Sequence, residues 1–382
     1  MHFLIIGAGI NGLTTARALL NLGHTVQVFE AARELREIGA GVVLGANAMR
    51  ALQQLGLYET VQAYTQPVKG LRLLDHQGRA LQTADTEPFT RKLGFDNVGI
   101  HRADLQKALL SELPSTIVHL GKPFVRFEEK DHQVTAHFAD GSTATGDALL
   151  AADGIRSRVR LQLLPQSQPR YAGYTCWRAV VDAASLGLPP GNSTEIWGTR
   201  GRRFGYVPLV DGRVYWFACV NTPTPNDPVF KNLHKPEVEQ LFADLPYPAP
   251  ALLAHTPADA YLWGDILDIK PIRRFAYGRV LLLGDAAHAT TPNLGQGAGQ
   301  AVEDAAILAR CLEQNAELPA AFREFERRRR PRTTRIVQTS WFLGWASQIK
   351  NPFIYQLRNT VMRLLPAAVA QWQMAFLYEA DD

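Results

Sequence analysis

The chain is poor in the features that mark several protein classes. It has three cysteines in 382 residues (Cys176, Cys219 and Cys311), far apart and without metal-ligand spacing. So sparse and odd a set excludes a disulfide framework and suits a reducing cytoplasm, where we expect the protein to reside. No apolar run reaches the roughly 18 residues of a membrane-spanning helix, so no integral span is expected. The opening MHFLIIGAGINGL lacks a basic leader and is interrupted at once by glycine, so it does not read as a signal peptide. The net charge is only +4, which argues against nucleic acid as a partner. Internal repeats, metal-ligand clusters and a Ser-His-Asp arrangement are also missing.

What is present is a chain with 46% hydrophobic and 20% charged residues, enough apolar mass for a sizeable core. Residues 2–6 (HFLII) are a buried-strand run leading into Gly7-Ala8-Gly9-Ile10-Asn11-Gly12. Leu13, Ala16, Leu19 and Leu20 then recur at helical spacing. A second strand, Thr25–Phe29, ends at Glu30, 18 residues beyond Gly12. In a βαβ nucleotide unit these positions have separate jobs. Gly7 makes the tight turn, Gly9 lets the backbone approach a pyrophosphate, Gly12 lets the helix pack on the sheet, and Glu30 takes the ribose hydroxyls. A carboxylate there disfavours an NADP 2′-phosphate, leaving FAD or NAD.

A second glycine-rich stretch is LLLGDAAHATTPNLGQGAGQAVEDA, residues 281–305. It reads as a strand end, a loop with Gly284, Gly295, Gly297 and Gly299, and a helix running through Ile307 and Leu308. Such a loop lets backbone pass close against a flat or phosphorylated ligand, and the helix start offers unpaired N–H groups. Asp285 is the acid at its beginning. The pattern also fits an ordinary strand–loop–helix corner. Arg102 opens another helix, where a cation opposes the helix dipole; it has either an anionic partner or a solvated surface position. Asp153-Gly154 ends a further strand and is followed by Arg156, Arg158 and Arg160, which fits the edge of a nucleotide site or a plain charged helix.

Residues 70–99, beginning LRLLDHQGRALQTAD after Gly70, alternate as strands do. From Tyr171 to Lys270 aromatics cluster in alternating runs, with hairpin turns at Gly201 and Asp211-Gly212. One greasy face results, which serves either a core or an aromatic substrate. Residues 221–258 hold eight prolines and are expected to cap that sheet. Glu324–Arg335 (EFERRRRPRTTR) is expected to be a solvated helix face. Residues 336–382, with Trp341, Phe342, Trp345, Phe353, Leu364, Trp372 and Phe376, are expected to be an amphipathic helical tail docked on the body, with a dimer contact or loose membrane association as the alternatives and no insertion, the tail being too polar and broken.

GAGINGL with Glu30, AADGIRSRVR at 151–160 and the 281–305 stretch stand in one order. Together they resemble the FAD-dependent aromatic-ring monooxygenases of the p-hydroxybenzoate hydroxylase fold, closest to the urate hydroxylase, zeaxanthin epoxidase and salicylate hydroxylase-like branch. The resemblance implies an α/β fold: a Rossmann-like FAD-binding domain, an inserted mixed β-sheet substrate domain and a C-terminal helical tail. Its boundaries are 1–70, 100–165 and 271–330 for FAD, 71–99 and 166–270 for substrate, and 331–382 for the tail. It further implies that Gly7, Gly9 and Gly12 hold the FAD pyrophosphate and Glu30 the adenosine ribose. Arg102 reaches the ribityl-phosphate region, and Asp153 and Gly154 serve both FAD and the pyridine nucleotide. Gly284 and Asp285 bind the ribityl-pyrophosphate side, and Pro292, Gly295, Gln296, Gly297 and Ala298 run along the isoalloxazine.

The implied reaction is hydroxylation of a small aromatic or polycyclic substrate by O2 through a C4a-hydroperoxyflavin. NADH or NADPH is the reductant, no metal takes part, and the protein is a monomer or homodimer. An isoprenoid or alkene epoxidase and a non-oxygenase flavin reductase are the alternatives; a halogenase is disfavoured because no WxWxIP stretch occurs. Arg203 and Tyr215 match that branch's substrate-contacting arginine and tyrosine. Two positions depart from the pattern. Ala46 replaces a frequent proline, and Asn293 stands where urate-hydroxylating relatives carry aspartate.

Overall fold

The computed structural model describes residues 1–35, 40–366 and 375–378; Ile38 and Trp372 lie outside the described residues. Among the described residues the strands form four sheets. The first is six-stranded, in the order Ala276–Tyr277, Val280–Leu282, Ala148–Ala151, His2–Ile6, Thr25–Phe29 and Val118–His119. All its neighbours are parallel except the first pair. Central parallel strands are covered on both faces, which is why HFLII and ALLA are continuous apolar runs rather than alternating ones. Phe3, Leu4, Ile5, Leu149 and Leu150 are fully buried there. The helices Ile10–Asn21 and Gly297–Gln314 pack together against this sheet.

The second large sheet has seven strands in the order Leu262–Asp268, Arg170–Asp182, Arg213–Asn221, Arg202–Pro208, Asn192–Trp197, Gly70–Asp75 and Ala80–Asp85. Its pairs are antiparallel except that of Gly70–Asp75 with Asn192–Trp197. Alternation therefore decides its two faces. Trp177, Phe204 and Trp216 point to one side, where the short helices Lys235–Phe242 and Ala249–His255 of the proline-rich segment cover them. Arg178, Arg203, Tyr215, Phe217 and Cys219 share the register rows of the other side, toward the first body. The strand-like reading of 70–99 meets one exception: Glu87–Leu93 is a helix with proline in its first turn and Gly94 closing it in the left-handed region.

The arginine run needs a correction. It lies in the long helix Leu318–Ser347, and it is not a solvated face throughout, since Arg329 is fully buried and Arg332 nearly so. The sequence pattern shows four adjacent arginines but not that acids on another helix await one of them.

Candidate active site

Three turns meet at the carboxyl ends of adjacent parallel strands, where open α/β sheets bind ligands. Gly7 follows His2–Ile6, Asp153-Gly154 follows Ala148–Ala151, and Gly284 follows Val280–Leu282. A Cβ on Gly7 (φ +104°) would lie 2.4 Å from the carbonyl oxygen of Ala152, and one on Gly12 would lie 1.9 Å from that of Gly7. Neither position admits a side chain. Gly9 is different: a Cβ there would meet nothing within 4 Å. It faces an open cradle at the start of the helix Ile10–Asn21, whose first N–H groups receive no side-chain cap. That is the geometry a pyrophosphate requires, so the residues present fit FAD. Glu30 braces the cradle by accepting the Ala8 N–H at 2.9 Å and the Ala32 N–H at 2.8 Å. Gln106 donates to the Ala8 carbonyl at 2.8 Å.

Asp153 accepts from the N–H groups of Arg158 (2.9 Å) and Val159 (3.3 Å), capping the helix that follows. Its other carboxylate oxygen is buried without a partner, and burial pushes the carboxyl pKa up. Gly154 adopts φ +77°. Arg160, the last of the three arginines, is fully buried. Its guanidinium donates to the carbonyls of Ile155, Ser167 (3.2 Å) and Ala286 (3.1 Å), tying the Asp153 turn to the Gly284 turn. The sequence placed it in a charged helix and offered no sign of this role. Asp285 follows Gly284 and is exposed at the surface, but desolvation by the protein around its carboxyl pushes its pKa up against the lowering fields of His288, Arg102 and Arg160. Arg102 is the first residue of the helix Arg102–Ser111 and is itself exposed.

Beneath the loop lies an ion cluster. Asp304 accepts from the Gly284 N–H (2.7 Å), from His288 Nε2 (2.8 Å) and from Arg329 Nε (2.6 Å). Burial alone would raise its pKa; the His288 and Arg329 charges and the Gly284 N–H hold it down at about 2. Glu303 pairs with Arg329 at 2.8 Å and with Arg332 at 3.1 Å, and also accepts from Asn47. Gly284 has φ +51°, and a Cβ there would crowd Asn11 at 3.1 Å. Pro292 begins a short 3-10 turn, Gly295 ends it at φ +62°, and Gly297 and Ala298 start the helix Gly297–Gln314. Gln296 is buried and accepts from Gln300 at 3.2 Å.

Facing that loop is the second side of the seven-stranded sheet. Arg203 is buried and donates to Asn293 Oδ1 (2.5 Å), Glu195 Oε1 (3.2 Å) and Ser347 Oγ (3.2 Å). Tyr174 donates to the same Asn293 oxygen at 3.0 Å. The Asn293 amide nitrogen donates to Thr291 Oγ1 and to the Ser340 carbonyl, both at 2.8 Å. Both ends of this amide are thus consumed by protein. Cys176 and Cys219 lie directly opposite each other across neighbouring strands, and against the cost of burial the Cys176 thiol hydrogen bond and then the Arg203 charge favour the thiolate of Cys219.

Tyr215 and Arg178 are not consumed. Among the described residues neither side chain has a hydrogen-bond partner. Tyr215 packs under Gly41, where an added Cβ would lie 2.4 Å from its own, and beside the Phe217 ring. Val43 of the same short strand lies 3.9 Å from where a Cβ on Gly295 would sit, so this strand neighbours both Tyr215 and the loop. Burial pushes the Tyr215 hydroxyl well above the usual phenol range. Arg203 and Tyr215, both expected from sequence to contact substrate, lie on one face of the sheet but in different register rows, Arg203 opposite Cys219 and Tyr215 opposite Val207, and Arg178, Tyr174, Asp304 and Arg329 were not foreseen.

Comparison with known proteins agrees with this geometry. The family model described as "FAD binding domain" matches residues 1–340. The aurachin C monooxygenase/isomerase of Stigmatella aurantiaca is 39% identical over 362 residues, covering 95% of this chain and 94% of its own length. The FAD-dependent urate hydroxylase of Klebsiella pneumoniae subsp. pneumoniae is 34% identical, with 88% of each chain covered. The crystal structure of Klebsiella pneumoniae HpxO with FAD and uric acid superimposes with a TM-score of 0.91 at 30% identity, covering 99% and 96% of the two chains. The chain belongs to the FAD-dependent aromatic-ring monooxygenases, oxidoreductases of the p-hydroxybenzoate hydroxylase fold.

Proposed function

We propose that the substrate is a flat aromatic or heteroaromatic ring carrying an ionisable hydroxyl or oxo group. The observation that carries this reading is the pair of unconsumed polar side chains, Arg178 and Tyr215, on the sheet face turned toward the loop, where the neighbouring Arg203 is already bonded to Glu195 and Asn293. Both are half-buried, and polar groups that the protein partly shields from water without pairing are open to a ligand's hydrogen bonds. Arg178 holds the ring oxygen as an anion, which raises electron density in the ring for attack by an electrophilic oxygen. Tyr215, kept protonated by its burial, donates a hydrogen bond and does not act as a base at neutral pH. Phe217 forms the apolar wall. Arg203 positions the loop through Asn293 and does not touch the ring. FAD, when bound and reduced by NADH or NADPH, supplies the activation of O2 for transfer of one oxygen atom.

On the cofactor side we assign Gly7, Gly9 and Gly12 to the pyrophosphate and Glu30 to the adenosine ribose. Arg102 and Asp285 take the ribityl-phosphate region, Asp153-Gly154 its far edge, and 292–298 the flavin ring. Labour is divided as the sheets suggest: 1–70, 100–165 and 271–330 for FAD, 71–99 and 166–270 for substrate, and 331–382 as the tail. Three buried free thiols support a cytoplasmic enzyme, monomeric or homodimeric. The test is the rate of flavin reduction by NADH and NADPH across ring compounds paired with analogues lacking the oxygen substituent. The reading expects stimulation, and a product heavier by one oxygen, only from the oxygenated member of each pair. Equal stimulation by both members overturns it.

A further inference from the structure

The helix Pro352–Leu364 is turned inside out. Phe353, Leu357, Val361 and Leu364 fall on one stripe, and their exposures are 80%, 64%, 48% and 77%. On a helix packed on a soluble body that stripe faces the core. Here the polar side faces the body and is anchored to it. Tyr355 donates to the Trp197 carbonyl at 3.1 Å, Arg358 donates to the carbonyls of Ala346 (2.8 Å) and Ser347 (3.2 Å), and Arg363 pairs with Asp75. Rotating the helix to bury its stripe would break all of these. Phe342 and Trp345, at the end of the preceding long helix, are 59% and 63% exposed as well.

We propose that this face docks on an anionic phospholipid bilayer, lying in its interfacial plane. At 13 residues the helix is about 20 Å long, against about 30 Å of bilayer hydrocarbon, so it lies on the membrane and does not cross it. Charge decides between bilayer and second copy. No Asp or Glu occurs between Glu326 and Glu379, and Lys350 is exposed beside the patch. Anionic headgroups complement that rim, whereas a two-fold contact would set it against itself. Trp345 of the preceding helix beside Phe353, Leu357 and Leu364 also gives the patch the aromatic and aliphatic make-up of a membrane-interface surface. Trp345 and Lys350 further line a cavity of about 320 Å³ that extends to Tyr174 and Asn293. A ring compound dissolved in the bilayer would meet the enzyme at that opening. The docking does not depend on which ring is oxidised.

The test uses the FAD-loaded full chain in flotation with phosphatidylcholine vesicles, with or without 30 mol% phosphatidylglycerol (about one lipid in three, chosen to give a strongly negative surface). The triple variant Phe353→Ser/Leu357→Ser/Leu364→Ser is compared, its flavin content and unfolding midpoint serving as the folding control. The proposal expects wild type to float with anionic vesicles, binding to fall with added salt, and the variant to lose roughly tenfold or more in bound fraction. Three results overturn it: no flotation at any composition, equal flotation of the variant, or a wild-type dimer in sedimentation that ignores vesicles and that the variant abolishes.

Discussion

The two sides of the 284–297 loop are built on opposite plans. Toward the long helix, Asp304, Glu303, Arg329, Arg332 and His288 satisfy one another and the Gly284 N–H. Toward the sheet, Arg178 and Tyr215 are left without protein partners, while Arg203 and Tyr174 both donate to Asn293 and the buried Nε of Arg203 stays unpaired. A saturated network fixes the backbone that a cofactor must find already in place; open polar groups are what a substrate needs. Rigidity and availability are thus divided across one loop.

The comparison breaks most visibly at Arg329. Arg329→Met leaves two buried carboxylates short of a cation and should cost about 3–5 kcal/mol, read as a fall in the denaturant midpoint. Exposed Arg330→Ala in the same run should stay within about 0.5 kcal/mol. Equal effects would mean that the cluster does not organise the loop. Gly9→Val comes next. Its side chain clashes with nothing in the protein, so the fold should survive while FAD is lost on gel filtration. A variant that elutes yellow at full occupancy removes the pyrophosphate from that cradle.

On the open side the effects are smaller and fall on substrate. Arg178→Met should weaken binding of an anionic ring by about 1.5–3 kcal/mol, seen in KM with flavin content intact. Tyr215→Phe should cost about 1 kcal/mol in kcat/KM, without removing any ionisation near neutral pH from the pH profile. If Tyr215 were a base, the acid limb of that profile would move.

The mildest test is acid stability. The Asp304 pKa in the fold, about 2, lies below its ordinary value of about 3.9. Its contribution is therefore complete above pH ~4 and is lost as pH falls toward 2. Urea midpoints measured from pH 5 downward should fall less steeply in Asp304→Asn than in wild type.

Much of this was legible in the chain itself. Gly7 and Gly12 are demanded by local backbone approach, and the strand–turn–helix order around them is set by short-range pattern, so the cofactor cradle could be read residue by residue. Alternation likewise exposed a sheet with two unlike faces. Arg329 and Arg160 could not be read, because a charge is judged solvated until something 25 or 125 residues away supplies its partner. Local periodicity also marks the apolar stripe of Pro352–Leu364 but not the direction it faces. Only the tertiary structure decides that, because the anchors, Asp75 and the carbonyl of Trp197, belong to a distant sheet.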